Sequence, residues 1–557
     1  MATTGGGLRD VAATPLREVA PGAAEQTYVL AVDLGTGGPK VAVVAATGRI
    51  VAHAFEAVGI DLTEQGGAEQ SPDAWWSAVT ACARRALAES GVAADRIVGI
   101  GCTAQWSGTV PIDGGGEAIG PAISWMDSRG SRAVRETVRG AISVQGYSPS
   151  KAARWVRKSG GIPSLSGKDP VGHIHFLREQ RPDVYGAAAV FLEPVDYLGL
   201  RLTGLARASH DSITLHWVTD NRDIRAIAYD DALVALAGLE RPKLPDLVPT
   251  GSVLGGLAPR AATELGLLTG TPVVAGCGDL HSAAVGSGAV EDFDAHLYIG
   301  TSSWVSCHVP FKKTDALTNI ASIPSGIPGR YLVADEHETG GACLTWLRDN
   351  VLYPGDALDD GGGGVARGAP DGFFATLNEV ASSVPVGAHG VLFTPWLNGE
   401  RSPVDDHTIR GGFHNLSLSS TRADMVRAVF DGVALNSAWL LGAVEKFCKR
   451  RFDSLAFVGG GANSDLWCQI HADAMGRQIR QVADPVLANV HGAGLLTLLA
   501  LDRLALADMP GTVEIKATYE PDPAAAAVYA ELLKEFVNLY KETKGIHKRL
   551  NGRRLHA

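Results

Sequence analysis

Three short segments pair a reactive or phosphate-facing residue type with glycines. In Asp33-Leu-Gly-Thr-Gly-Gly-Pro-Lys40 a carboxylate ends an apolar run, directly before a glycine-rich turn that carries a hydroxyl. Such a carboxylate can hold hydrated Mg²⁺, while backbone N–H groups freed by glycine approach phosphate oxygens. The same residues also suit an ordinary β-hairpin with a turn aspartate, and the segment is neither a Walker A loop nor a GxGxxG fingerprint. In Gly276-Cys-Gly-Asp279, the aspartate follows the apolar run Pro272–Ala275 and opens a stretch of small residues reaching Gly288. It can accept the proton of an alcohol, or it can cap the helix that the small residues predict. In Gly459-Gly-Gly-Ala-Asn463, glycines between a strand Leu455–Val458 and a helix Ser464–Met475 leave bare backbone for an adenine or a ribose. That segment also imitates a dinucleotide fingerprint, with Asp484 near the spacing of a dehydrogenase's acidic residue.

Other groupings carry less. Gly161…Gly167-Lys168-Asp169 is one residue too long for a P-loop and lacks the following Ser or Thr. Asp335-Glu336-His337-Glu338 reads as an exposed acidic loop, with metal binding as its alternative. His173 and His175 read as packing or surface residues on one strand face, and Trp75-Trp76 as the contact of a helix with its sheet. His471, midway along its helix, has no partner visible in the sequence.

The elements that must position these residues follow from short Val-rich runs broken by glycine turns. Strands are expected at Tyr28–Leu34, Lys40–Ala45, Ile50–Ala57 and Arg96–Cys102. Ser71-Pro72-Asp73 sets an N-cap and a first-turn proline for a helix running to about Ser90, which Gly91 stops. The plan recurs later: Ala295–Gly300 runs into Gly300-Thr301-Ser302-Ser303, and Trp304–Pro310 returns. Two similar α/β halves are therefore expected, joined near Gly286–Asp294. Gly361–Gly364 is expected to be a mobile surface loop.

Bulk composition narrows the class. A chain of 557 residues exceeds one core, so two or more domains are expected. With 46% hydrophobic and 20% charged residues the balance is that of a globular protein. The formal net charge of −11 speaks against a nucleic-acid binder. Seven scattered cysteines without a CxxC pair read as a reduced, cytoplasmic protein with neither zinc ribbon nor disulfide framework. The first 26 residues lack the apolar stretch of a secretory signal. The uncharged run between Asp484 and Asp502 includes Asn489, His491 and two glycines, which suits a buried loop and helix rather than a membrane span.

Taken in order, the segments resemble the FGGY carbohydrate kinases, and especially their xylulokinase branch. The likeness runs from about Tyr28 to about Leu504. It rests on Asp33-Leu-Gly-Thr, Ser124-Trp-Met-Asp-Ser-Arg129, Leu192-Glu-Pro-Val-Asp-Tyr-Leu198 with Arg201-Leu-Thr-Gly204, and Gly276-Cys-Gly-Asp279. It continues through Gly300-Thr-Ser-Ser, Gly340-Gly-Ala-Cys-Leu-Thr-Trp-Leu-Arg348, Asn398-Gly-Glu-Arg-Ser-Pro403 with Arg410-Gly-Gly-Phe413, and Gly459-Gly-Gly-Ala-Asn463.

The resemblance implies an α/β fold of two actin-like, ribonuclease H-like domains around a central catalytic cleft. Residues 1–26 would form a flexible extension, 27–289 the first domain with the sugar site, 290–545 the second with the nucleotide site, and 546–557 a tail. The implied activity is transfer of phosphate from ATP, with Mg²⁺, to a small ketose or polyol. Asp33 would lie near the metal and Asp279 would be the general base. Gly35, Thr36, Gly300 and Thr301 would hold ATP phosphates, and Gly341, Thr345, Gly460, Gly461 and Asn463 would grip the nucleotide. Gln105, Trp106, Ser107, Asp279 and Leu280 would meet the sugar. A homodimer is compatible with the family.

Two positions depart from the family pattern. Trp106-Ser107 stands where xylulokinases carry Met-His, and Leu280 replaces the Asn or Gln usual beside the base. An indole offers a stacking face and one N–H donor, and leucine offers no hydrogen bond. Acceptors other than D-xylulose are therefore open: a deoxy-sugar, another pentulose, a tetritol or a pentitol. The competing readings are a non-catalytic actin-fold sensor of sugar or nucleotide, and a nicotinamide dehydrogenase built on Gly459-Gly-Gly.

Overall fold

The computed structural model describes residue 8 and residues 12–17, 26–354 and 369–552. Two mixed sheets organise it. The first is seven-stranded, built from β1 (Tyr28–Gly35), β2 (Gly38–Ala45), β3 (Ile50–Phe55), β4 (Ile97–Ala104), β5 (Val253–Gly256), β6 (Pro272–Val274) and β7 (Cys277–Gly278). Its order is β5-β6-β4-β1-β2-β3, with β7 also pairing β4. The second sheet has eight strands: β8 (Ala295–Ile299), β9 (Ser303–Val309), β10 (Thr314–Asp315), β11 (Ile320–Pro324), β12 (Tyr331–Ala334), β13 (Ser454–Val458), β14 (Gln478–Val482) and β15 (Ile515–Tyr519). Their order is β10-β11-β12-β9-β8-β13-β14-β15.

Pairing turns the faint sequence repeat into a structural one. β1 runs antiparallel to β2 and parallel to β4, and β8 runs antiparallel to β9 and parallel to β13. In both halves a glycine turn closes the antiparallel pair: Gly35 to Gly38 in the first, Gly300 to Ser303 in the second. Each sheet thus presents the carboxyl ends of its parallel strands beside a tight glycine turn, the edge where α/β folds place ligands.

Helices form where the sequence supplies caps. In α1 (Pro72–Ser90) the Ser71 hydroxyl accepts from Ala74 N at 3.2 Å, and Gly91 leaves the helix with φ 63°. Trp75 of this helix is buried against Tyr197. The His173–His175 pair lies on a helix rather than a strand: Asp169 caps α2 (Pro170–Gln180), accepting from Gly172 N at 3.1 Å, with Pro170 in its first turn. Both histidines are buried there, and burial lowers the pKa of each.

Two helices tie the halves together. α3 (Asp279–Gly286) leaves the first sheet, and α4 (Ala488–Ala500), encoded after most of the second sheet, packs Val490, Leu495 and Leu498 beneath Val29, Ala31, Ala42 and Val44 of the first. Their crossing admits no side chain. A Cβ on Gly286 would lie 1.8 Å from the Ala488 carbonyl, and one on Gly492 would lie 1.9 Å from that of Ser282.

Within the N-terminal extension, Thr14 O accepts from Gly256 N at 3.1 Å, and Arg17 N donates to Gly270 O at 2.8 Å. Residues 12–17 therefore line the β5 edge of the first sheet. The Gly361–Gly364 segment lies outside the described residues. All seven cysteines are buried and free. The uncharged run 485–501 is a turn, buried at Pro485 and Leu487, and α4, and no described helix is long and apolar enough to cross a membrane.

Candidate active site

Asp33 and Asp279 emerge from one edge of the first sheet. In the parallel register Asp33 pairs with Thr103, and Thr103 pairs with Cys277, two residues before Asp279. The backbones of Asp33 and Cys277 thus stand two strand spacings apart, about 10 Å, with Asp279 two residues further on. Asp33 is buried; one oxygen lies 3.4 Å from Lys40 Nζ and the other, Oδ1, has no partner. Burial raises its pKa and Lys40 opposes that rise.

Asp279 is the first residue of α3 and does not cap it. The N-cap is Gly278, without a side-chain bond, and Asp279 Oδ1 accepts from the adjacent Leu280 N at 2.9 Å. Its side chain remains partly open to the cleft. Burial, together with the nearby charges of Asp33 and Glu336, pushes its pKa up to about 7.

The expected sugar residues lie beside Asp279 at the end of β4, with their polar atoms engaged. Gln105 is buried; its oxygen accepts from the Thr36 hydroxyl at 3.0 Å, and its amide donates to Gln70 at 2.8 Å. The Thr36 hydroxyl also accepts from Trp125 Nε1 at 3.0 Å, so its single donor is committed inside the protein. Trp106 lies on the backbone of Gly278, where an added Cβ would come within 2.8 Å of the indole. The Trp106 N–H is not a free donor: it reaches the carbonyl of Ser212 at 2.8 Å. Ser107, at φ 66°, donates its hydroxyl to Lys168 O at 3.0 Å.

The nucleotide-side glycines converge on the second sheet. Gly341 N donates to Gly300 O at 2.8 Å, and Gly340 N to Thr301 O at 2.8 Å. A Cβ on Gly459 would lie 2.5 Å from Ile299 O, and one on Gly461 2.8 Å from the Ile299 side chain. The turns at 300–301, 340–341 and 459–463 therefore meet at the carboxyl ends of β8 and β13. Thr301, Thr345, Gly460 and Asn463 are exposed there.

Side chains that sequence reasoning passed over join the halves. Asp335 and Glu338 are not an exposed loop: they are 7% and 5% exposed, Asp335 accepting from Val305 N at 3.1 Å and Glu338 met by cations from both halves. Glu338 pairs with Lys168 of the first half and with Arg401, which also pairs with Glu336. Arg401 lies 5.6 Å over the Trp125 ring. Although burial opposes it, the two cations hold the Glu338 pKa down to about 2. The signal was present in part, since Trp125 and Arg401 sit in quoted motifs, but Lys168 and Glu338 are 170 positions apart.

Comparison with known proteins decides the family. Residues 28–286 match the N-terminal domain of the FGGY family of carbohydrate kinases, and residues 295–501 match its C-terminal domain. The chain belongs to that family. A xylulose kinase of Staphylococcus epidermidis is 27% identical over 522 residues, covering 93% of this chain and 97% of that one. An autoinducer-2 kinase of Klebsiella pneumoniae is 27% identical over 543 residues, covering 93% and 95%. Among solved structures, a gluconate kinase from Lactobacillus acidophilus superposes with a TM-score of 0.80 at 21% identity, covering 94% and 99%. A xylulose kinase from Rhodospirillum rubrum gives 0.77 at 25% identity, covering 93% and 99%.

This FGGY chain is thus a carbohydrate kinase with the two-domain actin-like fold, and the dehydrogenase reading of Gly459-Gly-Gly falls. Nothing in the relatives supports the non-catalytic sensor. The residues present fit a divalent cation of the magnesium type. No cluster of three or more metal-binding side chains occurs among the described residues, and Asp33 Oδ1 is a buried acceptor without a partner. Magnesium is commonly held by one or two carboxylates, water and substrate phosphates rather than by a protein cage.

Proposed function

We propose that this kinase transfers the γ-phosphoryl group of ATP to a hydroxyl of a small ketose or polyol, with Asp279 as the base. The single observation that carries this reading is the shared edge of Asp33 and Asp279. One is a buried acid with an unmatched oxygen, and the other is a raised-pKa acid open to the cleft.

The acceptor hydroxyl attacks the γ-phosphorus as the bond to the β–γ bridging oxygen breaks, ADP carries away that electron pair, and the hydroxyl proton passes to Asp279. Such transfer needs in-line positioning and charge neutralisation more than covalent help. A carboxylate of pKa about 7 is a stronger base than an ordinary aspartate and remains mostly ionised at slightly alkaline pH. Asp33 would hold the magnesium, which when bound neutralises phosphate charge. The Gly300-Thr301 turn and the 459–463 turn would receive the phosphates and the nucleoside through backbone groups. Thr36 would contribute backbone contacts and keep Gln105 and Trp125 in place, since its hydroxyl is engaged.

The test is ADP release from ATP and Mg²⁺ across a panel of four- to six-carbon ketoses and polyols. At least one acceptor should give saturable turnover well above the sugar-free rate. No stimulation by any acceptor would overturn the reading.

A further inference from the structure

Beside Asp279, Trp106 and Leu280 of the first half form an apolar wall with Tyr298 and Trp304 of the second, one cluster in which Leu280 and Trp304 are buried and Trp106 and Tyr298 half-buried. Trp106 rests on Gly278, and Leu280 follows the base directly. Tyr298 stacks on Trp304 with ring centroids 3.9 Å apart and planes 4° from parallel, and its hydroxyl lies where a Cβ on Gly300 would approach to 2.7 Å. The wall therefore runs from the base to the first nucleotide turn.

Its two indole donors face inward. Trp106 Nε1 reaches Ser212 O at 2.8 Å, and Trp304 Nε1 reaches His296 Nε2 at 3.1 Å. Leucine has no polar atom. On the flank, the Ser107 hydroxyl proton and one Gln105 amide proton are already bonded within the protein. A sugar hydroxyl pressed on Trp106 and Leu280 would give up water and find no free donor in either side chain; the Tyr298 phenol lies at the far end of the wall, by the Gly300 turn.

We propose that the acceptor is a deoxy-sugar or deoxy-polyol whose CH₂ or CH₃ group lies against Trp106 and Leu280, with these two side chains setting specificity. This rests on the kinase reading above for the place of Asp279. A methyl group gains from leaving water, whereas a hydroxyl buried without a partner is penalised about 10-fold or more in affinity.

Two matched pairs test it on the full chain: 1-deoxy-D-xylulose against D-xylulose, and L-rhamnulose against L-fructose. In at least one pair kcat/KM should favour the deoxy form about 10-fold or more, mainly through KM. Leu280→Gln should shrink that preference about 10-fold, while Leu280→Met keeps it. Calorimetric binding of the same four sugars is read independently of turnover. A deoxy preference in binding without ADP release upholds the apolar wall and sinks the kinase reading. Parents that match or beat their deoxy partners in both pairs, or no binding by any of the four, overturn the proposal.

Discussion

At the scale of the residue, the environment of Asp279 sets both its reactivity and its cost. Enclosure and the neighbouring Asp33 and Glu336 disfavour the charged carboxylate, which is why its pKa stands near 7. Only the ionised form accepts a proton. The kcat/KM profile should therefore fall about tenfold per pH unit below pH 7 and level off above it, measured from initial rates at fixed ionic strength. A flat profile from pH 5.5 to 8 would remove Asp279 from proton transfer. The sign for stability is the reverse of that for activity. A carboxyl raised in the folded state favours folding most when protonated, and that advantage is lost as pH rises from the unfolded value of about 4 through 7. The base is thus held against the preference of the fold, as functional carboxylates often are.

At the scale of the element, the glycine crossing of α3 and α4 fixes where Asp279 stands, because α3 carries it in its first turn. Gly286→Ala drives a methyl into the Ala488 carbonyl, so the backbones must part. Overpacking of this kind should cost about 1–3 kcal/mol or more, read from urea unfolding, and should lower kcat as well. Unchanged stability would mean that the helices separate freely. Much of the element pattern was legible in the sequence. Val-rich runs and glycine turns marked the strands around Asp33, Gly300 and Gly459, and Ser71-Pro72 marked α1, since those signals are local. The histidine pair was misread because apolar residues around His173 and His175 suit strand or helix equally, although Asp169-Pro170 already offered a cap and a first-turn proline. The engagement of Thr36 with Gln105 and Trp125 was not legible, since it joins residues 69 and 89 positions apart. The same holds for Lys168 and Glu338, whose pairing depends on how the halves face each other.

At the scale of the whole molecule, two like sheets turn the carboxyl ends of their parallel strands toward one cleft, and the ion pair of Lys168 with the buried Glu338, which Arg401 also meets, spans it. Further contacts bind the halves, including Thr314 Oγ1 to Gly160 O at 2.6 Å and Tyr331 OH to Asn221 O at 3.1 Å. Such closure excludes water, which would otherwise compete as acceptor. Central to the account is that acid and nucleotide turns serve one reaction in this space. Asp279→Asn tests it most directly, with sugar and ATP binding, Tm and kcat measured on the same protein. Binding should persist, Tm should rise because a disfavoured charge is gone, and kcat should drop about 10²–10⁴-fold. Near-full turnover in that variant would contradict the account.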